Sequence, residues 1–242
     1  MSSIDLNADL GEGYGDDAAL LEIVTSANIA SGGHAGDART MEETVRAAIR
    51  CGVAIGAHPS YPDSAGFGRV AMERTPNQIY DDVLAQTRAL ANVADAHGVR
   101  LRHVKAHGAL YNVAARDRTV ADAISRAVLD FDPDLAIVGL AGGAQLLSAR
   151  AHGLRAIAEV FADRGYRSDG SLIPRAEPGA LLVDVRAAVA QALALARSGA
   201  GQTICIHGDG PHALEFARAI RAALETEGIT VQSPYPARSA ET

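Results

Sequence analysis

The sequence predicts an α/β fold, a single (β/α)7-type barrel domain over residues 1–242. Three observations carry this. Apolar runs of four to six residues alternate about seven times with stretches of helical period. Most of these runs read apolar on both faces, as in a parallel sheet covered on both sides. Six of the seven end in ionisable groups: Asp9 and Glu12, His34, His58 and Asp63, Lys105 and His107, Glu159 and Asp163, His207 and Asp209. The first two observations fit a doubly wound sheet equally well. The third favours a barrel, which points every strand's C-terminal end at one mouth.

The elements follow in order. Ile4–Asp9 alternates apolar and polar residues and reads as the first strand. A glycine-studded loop follows, and Asp16 caps a short helix to about Thr25. Ala27–Ala30 is the second strand, ending in Ser31, Gly32, Gly33 and His34. Asp37 opens a helix with Met41, Val45, Ala48 and Ile49 on one face, closed by Cys51 and Gly52. Val53–Ala57 is the third strand, running into His58 and Pro59. Thr75, Pro76 and Gln78 form a capping box with proline at the first helical position. That helix runs to about His97, where Gly98 stops it. Leu101–Lys105 is the fourth strand, and one or two helices cover about Ala109 to Asp130. Leu135–Leu140 is the fifth strand, followed by a helix to about His152. Ala156–Val160 is the sixth, followed by an irregular stretch, and Asp184 caps a helix to about Arg197. Thr203–Ile206 is the seventh. Pro211 starts the last helix, and Ile229–Val231 forms a short final strand.

Composition narrows the function. Net charge is −7 with no long run of either sign, and aromatics make up 4% with no tryptophan. Nucleic acid and membrane are therefore poor partners. The start lacks a signal-peptide pattern and no apolar run reaches a membrane span, which points to the cytoplasm. The two cysteines, Cys51 and Cys205, read as a reduced, buried pair. Walker A, G-x-G-x-x-G, C-x-x-C, H-E-x-x-H and G-x-S-x-G motifs are all missing.

The chemistry is expected at the strand ends. His34, His58, Lys105 and His107 stand beside the carboxylates Asp9 and Glu12 as catalytic candidates. Asp9, His34 and His58 are also candidate ligands for a divalent cation such as zinc or manganese. Arg69 and Arg175, in loops over the mouth, suit a carboxylate or phosphate. Asn7, Gly33, Asp63, Glu159, Asp163, His207 and Asp209 complete the substrate-contact candidates. Each has a bland alternative: solvated turn histidines, a snorkelling lysine, Asn7, Asp9 and Glu12 bracing the loop, an Asp163–Arg164 ion pair. Asp37 is explained first as a helix cap. His97, His103 and His152 read as surface residues.

A family likeness rests on DLNADLGEGYG, TSANIASGGHAGD, GVAIGAHPSYPD with GFGR, HVKAHGALYN, EVFADRGYRSDGSLIPR and ICIHGD, in that order. Together these closely resemble the LamB/YcsF family, from about Ile4 to the last helix. The resemblance implies a seven-stranded βα barrel related to the polysaccharide-deacetylase and glycoside-hydrolase type. It implies opening of the 5-oxo-L-proline lactam to L-glutamate with ATP as co-substrate, as the A component of a 5-oxoprolinase with partner subunits B and C. Two positions depart from the family pattern: Ser31 stands where cysteine is usual, and Ala106 where proline is usual. Serine is the poorer nucleophile there. Two rival readings stand beside this one: a metal-dependent amide or acetyl hydrolase needing no ATP, and a non-catalytic lactam-binding protein.

Overall fold

The computed structural model describes residues 2–14, 16–206 and 213–235. The strands are β1 (Ser3–Leu10), β2 (Ser26–Ala30), β3 (Ala54–His58), β4 (His103–Lys105), β5 (Ala136–Leu140), β6 (Arg155–Phe161), β7 (Thr203–Ile206) and β8 (Thr230–Val231). The helices are α1 (Asp17–Leu21), α2 (Ala38–Cys51), α3 (Pro76–Ala96), α4 (Gly108–Ala114), α5 (Arg118–Phe131), α6 (Ala144–Ala151), α7 (Val185–Ser198) and α8 (Ala213–Thr226). Strands β1 to β7 pair in sequence order, all parallel, and β1 pairs with both β2 and β7. The sheet is thus a closed barrel, and β8 adds to the start of β1.

Most local signals act as expected. Asp37 and Thr40 cap α2 reciprocally, and Thr75 and Gln78 do the same for α3. Gly52 closes α2 in the left-handed conformation. α1 is shorter than expected, ending at Leu21, and Asp16 holds its cap position without a side-chain capping bond. The region 109–130 holds two helices, because Asp117 caps a new one through Thr119 and Val120. The start expected for the last helix, Pro211, lies outside the described residues.

Two expectations fail in the barrel interior. First, not every strand is apolar on both faces: β5 is apolar throughout, but β2 alternates Ser26 and Asn28 with Ala27 and Ile29, as β1 does. In β1, Leu6, Ala8 and Leu10 join the apolar core, while Asp5, Asn7 and Asp9 alternate with them and bond across the barrel. Asp5 accepts from the hydroxyls of Thr25, Ser26 and Thr203 at 2.6–2.8 Å. Asn7 donates to Thr203 and Glu159 and accepts from Asn28. Burial raises the pKa of Asp5 to about 6. Second, His103 is not a surface residue. It is fully buried in β4 and its Nε2 donates to Asn28 Oδ1 at 2.8 Å. The β-strand period turns it inward between neighbouring strands. Tyr235 stacks on it, rings nearly parallel with centroids 4.8 Å apart, and packs against Ala136, Val138 and Ile157. The cysteine expectation also fails for Cys51, which sits exposed on the last turn of α2; Cys205 is buried.

Candidate active site at the barrel mouth

The C-terminal ends of the strands open into a cavity of about 510 Å³, a size suited to a small molecule. Asp9, Glu12, His58, Lys105 and His107 line it. So do Arg69, Arg116, Arg167 and Arg175, making the rim strongly cationic.

Lys105 ends β4 and is 2% exposed. Its ammonium meets Asp9 Oδ1 and Glu159 Oε1, each at 2.8 Å, and Asn7 Oδ1 and Cys205 Sγ at 3.2 Å. Burial pushes its pKa down, but the charges of Asp9 and Glu159 outweigh burial and hold it well above its ordinary value. An ammonium has three protons, so this one is spent on groups of the protein. Asn28 also donates to Asp9 Oδ1, at 2.9 Å. Asp9 Oδ2 faces His58 Nε2 at 3.3 Å.

Above this pair stand Glu12 and three histidines. His34 donates from Nε2 to Glu12 Oε1 at 2.9 Å. His107 Nδ1 lies 3.3 Å from the same oxygen and 3.0 Å from His58 Nε2. The His34 and His107 rings stack, with centroids 3.6 Å apart. Glu12 and the three histidines bring one ligand atom each within 4.8 Å of one another, a group able to hold a metal ion. Burial lowers the pKa of His34, and that of His107 well below its ordinary value, so both rings are neutral near pH 7.

The loop after β3 clasps this group. Asp63 Oδ1 accepts from Gly66 N, and the Asp63 carbonyl accepts from Gly68 N. Gly68 has φ +64°, and a Cβ there would come within 2.9 Å of His34 Cβ and 3.0 Å of His107 Cδ2. Only glycine fits that position. Phe67 adopts φ 54°, rare for a side-chain-bearing residue, and its carbonyl accepts from His107 Nε2 at 3.0 Å.

Asp9, Glu12, His34, His58, Lys105 and His107 therefore meet at one place. Arg69 stacks its guanidinium over Phe67, 4.8 Å from the ring centre, beside the group. Glu159 and Asn7 sit one layer deeper, against Lys105. Gly33 packs against Ser60 and Gln86. Asp63 braces its own loop, and Arg164 donates to the carbonyls of Ile173 and Ala180. Ser31 is buried, and its hydroxyl has no hydrogen-bond partner among the described residues. His207 and Asp209 lie outside the described residues.

Sequence reading missed several lining residues. Tyr111 on α4 lines the cavity, and burial with nearby Glu159 raises its pKa well above the ordinary value. Arg116 lies in no motif, so only the fold reveals it, whereas Arg167 stands within EVFADRGYRSDGSLIPR without being singled out. Asn28, below the cavity against Asp9 and His103, was also missed, although it lies in TSANIASGGHAGD and alternates with Ala27 and Ile29 in β2.

A closed parallel βα barrel with its acids, histidines and lysine gathered at one mouth has the architecture of a βα-barrel enzyme. Within that class, the chain belongs to the LamB/YcsF family, whose family model matches residues 4–239. It is 55% identical to the A component of 5-oxoprolinase from Bordetella pertussis, over 96% of this chain and 98% of that protein. It is also similar to the crystal structure of the lactam utilization protein from Thermus thermophilus. The TM-score is 0.89 at 43% identity, covering 95% of this chain and 99% of that one. A peptidoglycan N-acetylglucosamine deacetylase domain from Eubacterium rectale shares the fold at TM-score 0.57 and 12% identity, covering all of this chain and 94% of that one. Among the described residues, no helix is long and apolar enough to cross a membrane.

Proposed function

We propose that this chain is the A component of an ATP-dependent 5-oxoprolinase and that the barrel mouth opens the lactam ring of 5-oxo-L-proline to give L-glutamate. The observation that carries the reading is the 55% identity, over nearly the whole chain, to a protein named as the A component of 5-oxoprolinase. The cavity chemistry agrees with it. A lactam amide is resonance-stabilised, and phosphorylation of its oxygen by ATP would make the ring carbon electrophilic. Water would then add to that carbon and the C–N bond would break, leaving an acyl phosphate, which a second water would hydrolyse to the glutamate carboxylate and phosphate. Glu12, held by His34, is suited to take the proton from water, and His58 or His107 to return one to the ring nitrogen. Arg69 and Arg175 are suited to the substrate carboxylate. Lys105 acts through Asp9, holding its carboxyl group against His58. The sequence has no phosphate-binding loop motif, so ATP would be held with partner subunits B and C. A divalent cation at the mouth belongs to the same reading.

The test mixes the purified chain with 5-oxoproline and ATP, with and without its partner subunits. Glutamate should form only when chain, partners and ATP are all present. ATP-coupled glutamate formation by the chain alone would overturn the need for partners. Lactam opening without ATP would favour a metal-dependent amide hydrolase instead.

A further inference from the structure

We propose that His58, His107, His34 and Glu12 form a binding site for one divalent first-row transition metal of the zinc type. The inference rests on where the ring protons must be. His58 Nδ1 faces the Lys105 carbonyl at 2.8 Å, and His107 Nε2 faces the Phe67 carbonyl at 3.0 Å. A carbonyl only accepts, so each of these nitrogens carries the N–H. His58 Nε2 and His107 Nδ1 are then the ring atoms left to face inward. They point at each other across 3.0 Å, and the Glu12 carboxylate lies 3.9 and 3.3 Å from them. Two ring nitrogens and a carboxylate oxygen that converge this closely, with His34 Nε2 on the same oxygen, form a ready ligand set for a cation.

Two further features fit a metal. Metal-ligating histidines commonly fix their outer N–H on a backbone carbonyl, as both of these do. Phe67 takes up the left-handed conformation in the very residue that presents one of those carbonyls. The spacing also fits. Zinc bonds of about 2.0–2.1 Å in a tetrahedron put ligand atoms about 3.3–3.4 Å apart. Four of the six separations here run from 2.9 to 3.9 Å, and all four atoms lie within 4.8 Å of one another. Three imidazoles and one carboxylate favour zinc-like ions over magnesium or calcium, which prefer oxygen donors. His34 now donates to Glu12 and would turn its Nε2 lone pair to the ion by moving its proton to Nδ1, a buried atom without a partner among the described residues. The site would supply Lewis acidity beside the cationic rim. It stands on donor geometry alone, whether or not the substrate is a lactam.

The experiment titrates zinc into the chelator-stripped full chain by calorimetry, without partner subunits or substrate. One zinc per chain should bind, with a Kd of about 1 μM or tighter. His107→Gln should weaken it at least about 100-fold, while His152→Gln, away from the mouth, should leave it unchanged. Zinc should raise the melting temperature of wild type but not of His107→Gln. If His107→Gln does not fold, cobalt(II) on the wild type decides. Strong visible bands of a four-coordinate imidazole site support the proposal, and the pale spectrum of the six-coordinate aquo ion overturns it. Folded wild type that takes up no zinc, or folded His107→Gln that binds it equally, would mean that the two ring nitrogens share a proton instead.

Discussion

Lys105 and Glu159 form an ion pair of 2.8 Å with side-chain exposures of 2% and 0%. A charge pair that deep is held by the rest of its network: Asp9, Asn7 and Cys205 complete the ammonium's partners. Its removal leaves uncompensated charge in a medium that solvates charge poorly.

Lys105→Met should therefore destabilise the fold by about 3–5 kcal/mol, with Asp9 and Glu159 left facing each other. Urea denaturation of the variant and wild type measures it. Adding Glu159→Gln should recover part of the loss. A double variant less stable than Lys105→Met would show that the pair is not coupled in this way.

Gly68 touches the site through its missing side chain. Gly68→Ala should cost about 1–2 kcal/mol for the left-handed backbone, and more for contact with His34 and His107. Because those rings would shift, the rate of lactam opening should fall further than stability alone explains. A variant with wild-type rate and melting temperature would mean that the 63–69 loop yields freely.

Stability should respond to pH through His103. Burial lowers its pKa to about 3, whereas the unfolded chain titrates near 6.5. Below pH 6.5 the unfolded state gains a proton that the folded state refuses. The contribution is thus full above pH 6.5 and falls by about 1.4 kcal/mol per unit toward pH 3. Asp5 works in the opposite sense: its raised pKa of about 6 makes the fold gain stability as pH falls from 6 toward 3.8. The two nearly cancel in wild type between those limits. His103→Gln keeps a donor for Asn28 and removes the histidine slope, so its stability relative to wild type should improve as pH falls. Urea midpoints at about pH 7 and about pH 4.5 decide it, and a pH-independent difference would contradict the buried neutral ring.

The caps at Asp37 and Thr75 were readable because each acts within one helical turn of its own sequence. The catalytic candidates were readable for a different reason: each lies at or just past the end of a strand, and closing the barrel brings strand ends together. His103 was not readable, because its inward direction depends on pairing with β3 and β5 and on meeting Asn28, 75 residues away. The polar interior showed in β1, where Asp5, Asn7 and Asp9 alternate with apolar neighbours, and in β2 through Ser26 and Asn28. Partners such as Thr203 for Asp5 are 198 residues apart, and nothing local announces them. The loop carbonyls that orient His58 and His107 belong to the backbone, which residue types do not reveal.

The most direct measurement is glutamate formation by the assembled enzyme carrying Glu12→Gln in this chain. The substitution keeps the shape and an oxygen for His34 while removing the carboxylate. With the fold intact by circular dichroism, the rate should drop at least about 100-fold, as loss of a general base does. An unchanged rate would place the chemistry elsewhere and leave this barrel a non-catalytic, lactam-binding protein.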